Sequence, residues 1–182
     1  MKNKLRIELK QLKKKINLKY TEYDFVRYEN NFFSLIESFN IKTIAGFHPK
    51  SDEVNILPIL LKAMSTGYKV ALPRIIQKNS YLKFIKWMKD DRLEKNDYGI
   101  FEPKAAGEEV IPDIIITPLL GFDRSMNRIG YGGGYYDRTF IKYPNAIRVG
   151  IGYSFQEVKN IPLEDHDQKL DYIVIEKEII KK

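Results

Sequence analysis

Several residue types and features are absent or rare in this 182-residue chain. It has no cysteine, which excludes disulfides, thiolate metal sites and cysteine nucleophiles. With only two histidines, a zinc site is disfavoured, and any metal is expected to bind oxygen ligands. No apolar run approaches the roughly 18 residues of a membrane-spanning helix, and the first residues do not form an apolar signal core. We therefore predict a soluble cytoplasmic protein with no membrane partner.

The composition is that of an ordinary globular domain, with 43% hydrophobic and 30% charged residues. The length suits one domain, and we predict a single domain over residues 1–182 that acts as a monomer. Thirty-one Lys and Arg against 24 Asp and Glu give a net charge of +7, which favours anionic partners such as nucleotides. The excess is rich in lysine, and codon bias in an AT-rich genome explains it equally well.

Apolar residues recur at helical spacing in the first part of the chain. An amphipathic helix is predicted over residues 3–18, with its apolar side on Leu5, Leu9, Leu12 and Ile16. Thr21 with Asp24 has the spacing of a variant capping box that opens a second helix reaching about residue 39. A third helix is predicted where Pro58 fits the first turn and Gly67 the carboxyl-terminal stop.

Short apolar runs indicate strands at residues 43–47, 68–73, 81–87, 114–116, 147–151 and 172–175, with a short helix at 137–142. The strand, helix and strand around Pro58 favour a parallel crossover. Residues 90–107 are polar and rich in turn formers, so we predict mostly loop there. The fold prediction is a single three-layer α/β domain in which helices flank a Rossmann-like, mostly parallel sheet.

A glycine-rich run lies between the buried strand at 114–116 and the helix at 137–142. It reads Gly130-Tyr131-Gly132-Gly133-Gly134-Tyr135-Tyr136-Asp137. Glycine in such a turn lets backbone N–H groups approach an anion, and the following helix amino-terminus adds partial positive charge. The run lacks the ending of a P-loop and is not the dinucleotide fingerprint. Phosphate is the natural ligand, and a plain tight turn is the alternative.

Charged residues surround this run. Arg124 and Arg128 precede it and Arg138 follows, so cations for phosphate oxygens are at hand. The Asp137 carboxylate suits Mg²⁺, which shares its oxygen ligands with substrate phosphates. A surface salt bridge between Asp137 and an arginine is the alternative.

Other chemistry-bearing residues are less specific. The three tyrosines of the glycine-rich run, Tyr131, Tyr135 and Tyr136, could stack on a heterocycle or pack in the core. Glu53, after the first strand, could bond to an amino-pyrimidine edge or be solvated, and His48 is similarly ambiguous. The acidic stretch from Glu164 to Asp171 suits a second metal contact or a solvated surface, and we assign His166 no catalytic role.

A set of motifs occurs in one order along nearly the whole chain. They are Lys2-x-x-x-Arg6, Ser51-Asp52-Glu53, Leu72-Pro73-Arg74, Tyr98-Gly99-Ile100-Phe101-Glu102-Pro103, Pro112-Asp113, Pro118, Gly121-Phe122-Asp123, the stretch from Asn127 to Arg138, and Asp165-His166-Asp167 followed by Leu170-Asp171. Together they resemble the signature of the 5-formyltetrahydrofolate cyclo-ligase family, also called methenyltetrahydrofolate synthetases.

The resemblance implies a magnesium-dependent enzyme that uses ATP to close 5-formyltetrahydrofolate to 5,10-methenyltetrahydrofolate, with release of ADP and phosphate. Phosphoryl transfer to the formyl oxygen would turn a poor leaving group into a good one, which the N10 amine then displaces. Positioning and charge neutralisation would do most of that work. The partners would be ATP and the folate, with no nucleic acid.

The resemblance also implies roles for individual residues. ATP would contact Lys2, Arg6, Arg128, Ile129, Gly130, Tyr131, Gly132, Gly133, Gly134, Tyr135 and Tyr136. The folate would contact His48, Glu53, Arg74, Tyr98, Tyr131, Gly132, Gly133, Gly134 and Tyr135. Arg128 and Tyr135 would be catalytic, and Asp137 and Asp167 would hold Mg²⁺. Some family members have basic residues where this chain has Tyr131 and Gly133, so Arg124, Arg128 and Lys2 are the candidate cations.

Two other functions fit parts of the sequence. A basic, tyrosine-rich chain with a glycine loop could bind RNA by stacking and phosphate contacts, although the ordered α/β pattern and Asp137 argue against it. A sugar-phosphate isomerase would use the loop for one phosphate and Glu53 as a base, without ATP.

Overall fold

The computed structural model describes residues 2–15 and 22–181. Within them the helices are α1 (Lys2–Lys15), α2 (Glu22–Ile36), α3 (Leu57–Ser65) and α4 (Tyr135–Lys142). The strands are β1 (Thr43–Ala45), β2 (Lys69–Ile75), β3 (Leu82–Lys86), β4 (Leu93–Lys95), β5 (Phe101–Pro103), β6 (Ile114–Pro118), β7 (Gly121–Phe122), β8 (Arg128–Ile129), β9 (Ile147–Ile151), β10 (Tyr172–Val174) and β11 (Ile179–Lys181).

The central sheet has seven strands in the order β11-β10-β9-β6-β1-β2-β3. The five inner strands pair in parallel, whereas the edge strands β3 and β11 are antiparallel to their neighbours. The α/β fold with a mostly parallel sheet is therefore confirmed.

Alternate residues of the inner strands enter two different cores. Ile44 and Ile114 pack in the cluster that contains α2 and α3, whereas their neighbours Ala45 and Ile115 pack with Phe140 of α4 on the opposite face. A strand buried on both faces must be apolar at successive positions, which explains the unbroken runs in the sequence. The three-layer arrangement of helices around the sheet is confirmed.

The third helix begins and ends where the sequence indicates. The Asn55 side-chain oxygen accepts a hydrogen bond from the N–H of Leu57 at 3.2 Å, and Pro58 occupies the first turn. Gly67 follows the helix with a φ of 97°, a left-handed conformation that glycine adopts without strain.

Other boundaries differ from the prediction. The described part of α1 ends at Lys15, and residues 16–18 and the proposed capping residue Thr21 lie outside the described residues. Residues 90–107 are mostly loop, as predicted, but they also contain the short strands β4 and β5, which pair as an antiparallel hairpin with Glu94 opposite Glu102 and were not foreseen. The strand β11 was also missed. These short strands lack the apolar alternation that marks a strand in sequence.

The strand order places a crevice at one edge of the sheet. From β1 the chain proceeds to β2 on one side, and from β6 it proceeds to β9 and β10 on the other. In open parallel sheets ligands bind beyond the carboxyl ends of the strands at such a switch point. Here His48 follows β1 and Pro118 ends β6 at that point. In the described parts of the chain, no helix is sufficiently long and apolar to traverse a bilayer.

Candidate active site

A cavity of about 430 Å³ opens at this edge of the sheet, a size typical of small-molecule sites. It is lined by residues from both sides of the switch point, the glycine-rich run, α1 and the β4–β5 hairpin. The residues are Lys2, Arg6, Phe47, His48, Lys50, Glu53, Pro73, Ile75, Leu82, Asn96, Tyr98, Ile100, Glu102, Thr117, Pro118, the whole stretch from Arg128 to Asp137, Glu164, His166 and Asp167.

The glycine-rich run forms a wall of the cavity immediately before α4. Gly132 and Gly134 have φ values of 102° and 63°, which side chains with a Cβ rarely adopt. A Cβ on Gly133 would lie 2.8 Å from the Tyr135 ring. The first N–H groups of α4 have no partners within the helix and are available to an anion. The loop therefore has the geometry expected of a phosphate site.

A buried aspartate fixes the turn that leads into this run. The Asp123 carboxylate accepts hydrogen bonds from the N–H groups of Ser125 at 2.9 Å, Asn127 at 3.1 Å and Ile161 at 2.9 Å. The turn connects β7 to β8, and β8 begins with Arg128. Asp123 thereby determines where Arg128 enters the cavity.

Arg128 and Asp137 lie together on the cavity wall. The Arg128 Nη2 atom is 2.9 Å from Asp137 Oδ1, which also accepts the N–H of Gln168 at 3.0 Å. Arg128 Nη1 donates to the carbonyl of Gln168 at 2.6 Å. One cation and one carboxylate are thus held side by side next to the glycine loop.

The first helix brings a second cation to a second carboxylate. Lys2 is only 6% exposed, and its Nζ bonds to Asp167 Oδ2 and lies 3.3 Å from Glu164. Burial acts to raise the pKa of Asp167, but the bonds from Lys2 and from the Glu164 N–H outweigh it and hold that pKa below its ordinary value. Arg6 donates from Nε to the Gly130 carbonyl at 3.1 Å, which joins α1 to the glycine loop.

Ligand atoms of Glu164, His166 and Asp167 lie within 4.8 Å of one another, which makes this group a candidate oxygen-rich metal site. Asp137 Oδ1 accepts the N–H of Gln168, the residue that follows Asp167 in the chain. The sequence assigned His166 no role, and the structure places it at the mouth of the cavity.

Glu53 offers a buried acceptor on the other side of the cavity. It is 9% exposed, and one carboxylate oxygen accepts the Lys50 N–H at 2.9 Å. Burial raises the pKa of Glu53, while that N–H and the nearby ammonium group of Lys13 act in the opposite direction. Burial also raises the pKa of Tyr131 and of Tyr136, and the Glu53 charge adds to both effects. The carboxylate therefore sits in a desolvated, largely aromatic environment.

Aromatic residues close the cavity at the β4–β5 hairpin. The hydroxyl groups of Tyr98 and Tyr135 are 3.0 Å apart, and their ring centroids are 6.0 Å apart in an edge-on arrangement. This hydrogen bond raises the pKa of Tyr135. The His48 ring lies 5.1 Å from that of Phe101, and burial lowers the pKa of His48. The hairpin and the glycine loop thus meet over the cavity.

The cavity brings together every residue assigned to the site from the sequence except one. Among the described residues that line it, Arg74 is missing, so its predicted contact with the folate stays a prediction. Its guanidinium lies 3.0 Å from Glu94 and 3.7 Å from Glu102, and it also bonds to the Pro103 carbonyl. Two carboxylates and a carbonyl hold Arg74 behind the hairpin.

Arg124, another candidate cation, lies outside the described lining of the cavity. Its guanidinium pairs with Glu157 at 2.9 Å and Glu178 at 2.7 Å. Of the candidate cations, Arg128 and Lys2 line the cavity.

Sequence reasoning overlooked several residues of the cavity. Asn96 and Glu102 are polar groups within or beside the Tyr98 motif, but their role depends on the hairpin, which was not foreseen. Lys50, in the loop after β1, and Thr117, within β6, also line the cavity. Nothing in the sequence around either residue distinguishes it as a site residue.

The fold and the cavity together define a class: an α/β protein with a glycine-rich anion-binding loop at the switch point of its sheet. The family model described as the 5-formyltetrahydrofolate cyclo-ligase family matches residues 1–176. The chain belongs to this family, and the resemblance read from its motifs is confirmed. It is therefore an ATP-dependent ligase of folate one-carbon metabolism.

Relatives and solved structures agree with this assignment. The chain is 35% identical over 149 residues to the 5-formyltetrahydrofolate cyclo-ligase of Haemophilus influenzae, which covers 78% of this chain and 80% of the relative. It is 32% identical over 139 residues to the Escherichia coli enzyme of the same name, covering 72% and 76%. The structure of Aquifex aeolicus 5,10-methenyltetrahydrofolate synthetase superposes with a TM-score of 0.77 at 28% identity, covering 99% of this chain and 92% of the other.

Proposed function

We propose that this cavity closes 5-formyltetrahydrofolate to 5,10-methenyltetrahydrofolate by way of a phosphorylated formyl group. The γ-phosphoryl group of ATP passes to the formyl oxygen and ADP departs. The N10 amine then attacks the activated formyl carbon and gives up its proton to the solvent, and the formyl oxygen leaves with the phosphate. The observation that carries the proposal is that one cavity contains the glycine loop, the Arg128–Asp137 pair and the buried Glu53.

ATP binds along the glycine loop. The loop N–H groups and the α4 amino-terminus donate hydrogen bonds to the phosphate oxygens, while Lys2 and Arg6 reach them from one face of α1. Arg128 is catalytic, because its guanidinium lies beside the loop and can neutralise charge that develops on the transferring phosphoryl group. The Arg128–Asp137 contact keeps the guanidinium in that orientation before ATP binds.

Asp137 and Asp167 are the proposed ligands of Mg²⁺. The donor set fits, since both are carboxylates at the cavity wall, they are linked through Gln168, and Glu164 adds a further oxygen nearby. When bound, Mg²⁺ neutralises negative charge on the phosphates. Without it, Lys2 and Arg128 balance the two carboxylates.

The folate occupies the part of the cavity lined by Glu53 and the β4–β5 hairpin. Glu53, as a desolvated acceptor, suits the N–H groups of an amino-pyrimidine ring, and His48 lies beside it. Tyr98 provides a ring for stacking. Tyr135, at the junction of hairpin and glycine loop, is the second catalytic residue, and its hydroxyl orients the formyl group. Tyr131 and residues 132–134 contact both substrates.

An absorbance assay for the methenyl product tests this function. Purified protein with 5-formyltetrahydrofolate, ATP and Mg²⁺ should form product, and omission of ATP should abolish it. No product from folded protein, or equal product without ATP, would contradict the proposal. Loss of activity with a chelator, restored by Mg²⁺, tests the metal assignment separately.

We also infer that the enzyme is a single-domain monomer in the cytoplasm that acts on small molecules and not on nucleic acid. An enzyme that consumes ATP requires a compartment that supplies ATP, such as the cytoplasm. Light scattering should give the 21.4 kDa mass of one chain, and unlabelled RNA should not inhibit the reaction.

A further inference from the structure

A buried carboxylate lies beneath the β4–β5 hairpin. Glu102 is only 5% exposed, and its Oε2 atom accepts hydrogen bonds from the Ile75 N–H at 3.2 Å and from Asn96 Nδ2 at 3.0 Å. A buried charge requires such partners, because an unsatisfied carboxylate in the interior is costly. This contact fixes the orientation of the Asn96 amide, with its nitrogen toward Glu102.

The oxygen of the same amide organises the hairpin turn. Asn96 Oδ1 accepts the N–H groups of Tyr98 and Ile100, both at 3.0 Å. The Asn96 backbone bonds to Ile100 at 2.9 Å and accepts from Gly99 at 2.8 Å, with Gly99 at a φ of 73°. If the amide were flipped, two N–H donors would face an NH₂ group. The turn conformation therefore depends on the amide orientation that Glu102 sets.

This turn carries Tyr98 to the cavity. The Tyr98 side chain is half exposed, so the turn backbone rather than core packing decides where its ring lies. The ring reaches the glycine loop through the 3.0 Å hydroxyl contact with Tyr135. A change in the turn would move the ring away from the folate side of the cavity.

Arg74 supports the carboxylate from behind. Its guanidinium is 3.7 Å from Glu102 and also bonds to the Pro103 carbonyl, which follows Glu102 in β5. A cation there offsets the cost of burying the Glu102 charge. Arg74 also pairs with Glu94 at 3.0 Å. Glu94 is half exposed, and the Asn96 side chain donates its hydrogen bond to Glu102 and not to Glu94.

We propose that Glu102 is a positioning residue for the folate substrate. Through the Asn96 amide it holds Tyr98 over the cavity, and Arg74 acts by neutralising Glu102 and not by touching substrate. The inference rests on the proposed function, because it assigns Tyr98 to the folate and not to ATP. It gives a role to an arginine outside the cavity and to a buried carboxylate in the same hairpin as Tyr98.

Glu102→Ala tests the proposal, with Glu94→Ala as a matched control that removes the other carboxylate partner of Arg74. Glu102→Ala should raise the KM for 5-formyltetrahydrofolate about tenfold or more, since a hydrogen bond to a charged acceptor is lost and the turn is freed. The KM for ATP should change by less than about twofold, because the loop N–H groups, Lys2 and Arg6 that contact the phosphates are unaltered. Glu102→Gln should recover most of the loss, because its side-chain oxygen can still accept from Asn96. Glu94→Ala should leave both constants near wild type.

A double-mutant cycle with Tyr98→Ala separates positioning from direct contact. If Glu102 acts through Tyr98, the Glu102→Gln or Glu102→Ala change should have little further effect on the folate KM in the Tyr98→Ala background. Additive effects would mean that Glu102 contacts the folate itself, and would overturn the proposal. Equal rises in both KM values, or an equal effect of Glu94→Ala, would do the same.

Two controls keep the result interpretable. Thermal melts show whether a variant is folded, and if Glu102→Ala is not, Asn96→Ala replaces it with the same predicted KM pattern. Wild-type protein assayed in parallel separates the two hypotheses: an inactive folded wild type contradicts the proposed function, whereas an active wild type with an unaffected Glu102→Ala variant contradicts this inference alone.

Discussion

The buried carboxylate Glu53 gives a prediction in which function and stability change in opposite directions. Glu53→Gln keeps the size of the side chain, and its amide oxygen can still accept the Lys50 N–H that Glu53 accepts at 2.9 Å. The substitution therefore removes the charge and an acceptor site while it preserves packing. We expect weaker folate binding together with a more stable fold.

The loss of binding follows from the strength of charged hydrogen bonds. A hydrogen bond to a charged group contributes about 1.5–3 kcal/mol against about 0.5–1.5 kcal/mol for a neutral one. A difference of about 1.4 kcal/mol corresponds to a tenfold change in affinity. Glu53→Gln should therefore raise the KM for 5-formyltetrahydrofolate about tenfold or more, while the KM for ATP stays close to wild type.

The gain in stability follows from the raised pKa of Glu53. Burial makes the ionised form less favourable in the folded protein than in the unfolded chain, so ionised Glu53 lowers the free energy of unfolding at pH 7. This cost disappears as the pH falls through the folded-state pKa and the carboxyl group becomes protonated. Glu53→Gln should melt higher than wild type at pH 7, by about 2–4 °C for each 1 kcal/mol gained, and the difference should vanish in acid.

Steady-state kinetics with the absorbance assay and thermal melts at pH 7 and pH 4 measure both effects. Glu37→Gln is the control, because Glu37 is exposed on the surface and the substitution should change neither quantity. A Glu53→Gln variant with an unchanged folate KM would remove Glu53 from the substrate site. A variant that melts at a lower temperature than wild type at pH 7 would refute the argument that ionised Glu53 lowers the free energy of unfolding.

Three further predictions concern the phosphate side and the core. Asp137→Ala should abolish turnover while circular dichroism shows an intact fold, and wild-type activity in this variant would remove Asp137 from the metal site. Lys2→Ala should raise the KM for ATP about tenfold. Because the bond from Lys2 helps to lower the pKa of Asp167, the substitution should also lower the melting temperature at pH 7, and by less as the pH falls through that pKa. A variant that melts at the wild-type temperature at every pH would contradict this. Gly150→Ala should lower stability by about 1–3 kcal/mol in a denaturant titration, because the new Cβ would lie 2.6 Å from Leu170, and an unchanged midpoint would show that the core yields there.

The sequence by itself determined the parts of the fold that follow from local patterns. The apolar run at residues 114–116 specifies a strand buried on both faces, since each residue must be apolar there regardless of its exact neighbours. Pro58 and Gly67 mark the ends of α3 because their backbone preferences are intrinsic. The glycine loop before α4 was predictable for the same reason, and the ordered motifs indicated the family.

Only the tertiary structure decided which charged groups meet. In the sequence Arg74 is a candidate folate contact and Arg124 a candidate phosphate-binding cation, but carboxylates from other segments hold Arg74 behind the hairpin and Arg124 at the surface. Arg128, in contrast, lies beside the glycine loop, because the turn before β8 directs it there. A long, flexible charged side chain has no local preference for its partner, so its role depends on how distant segments of the chain pack together.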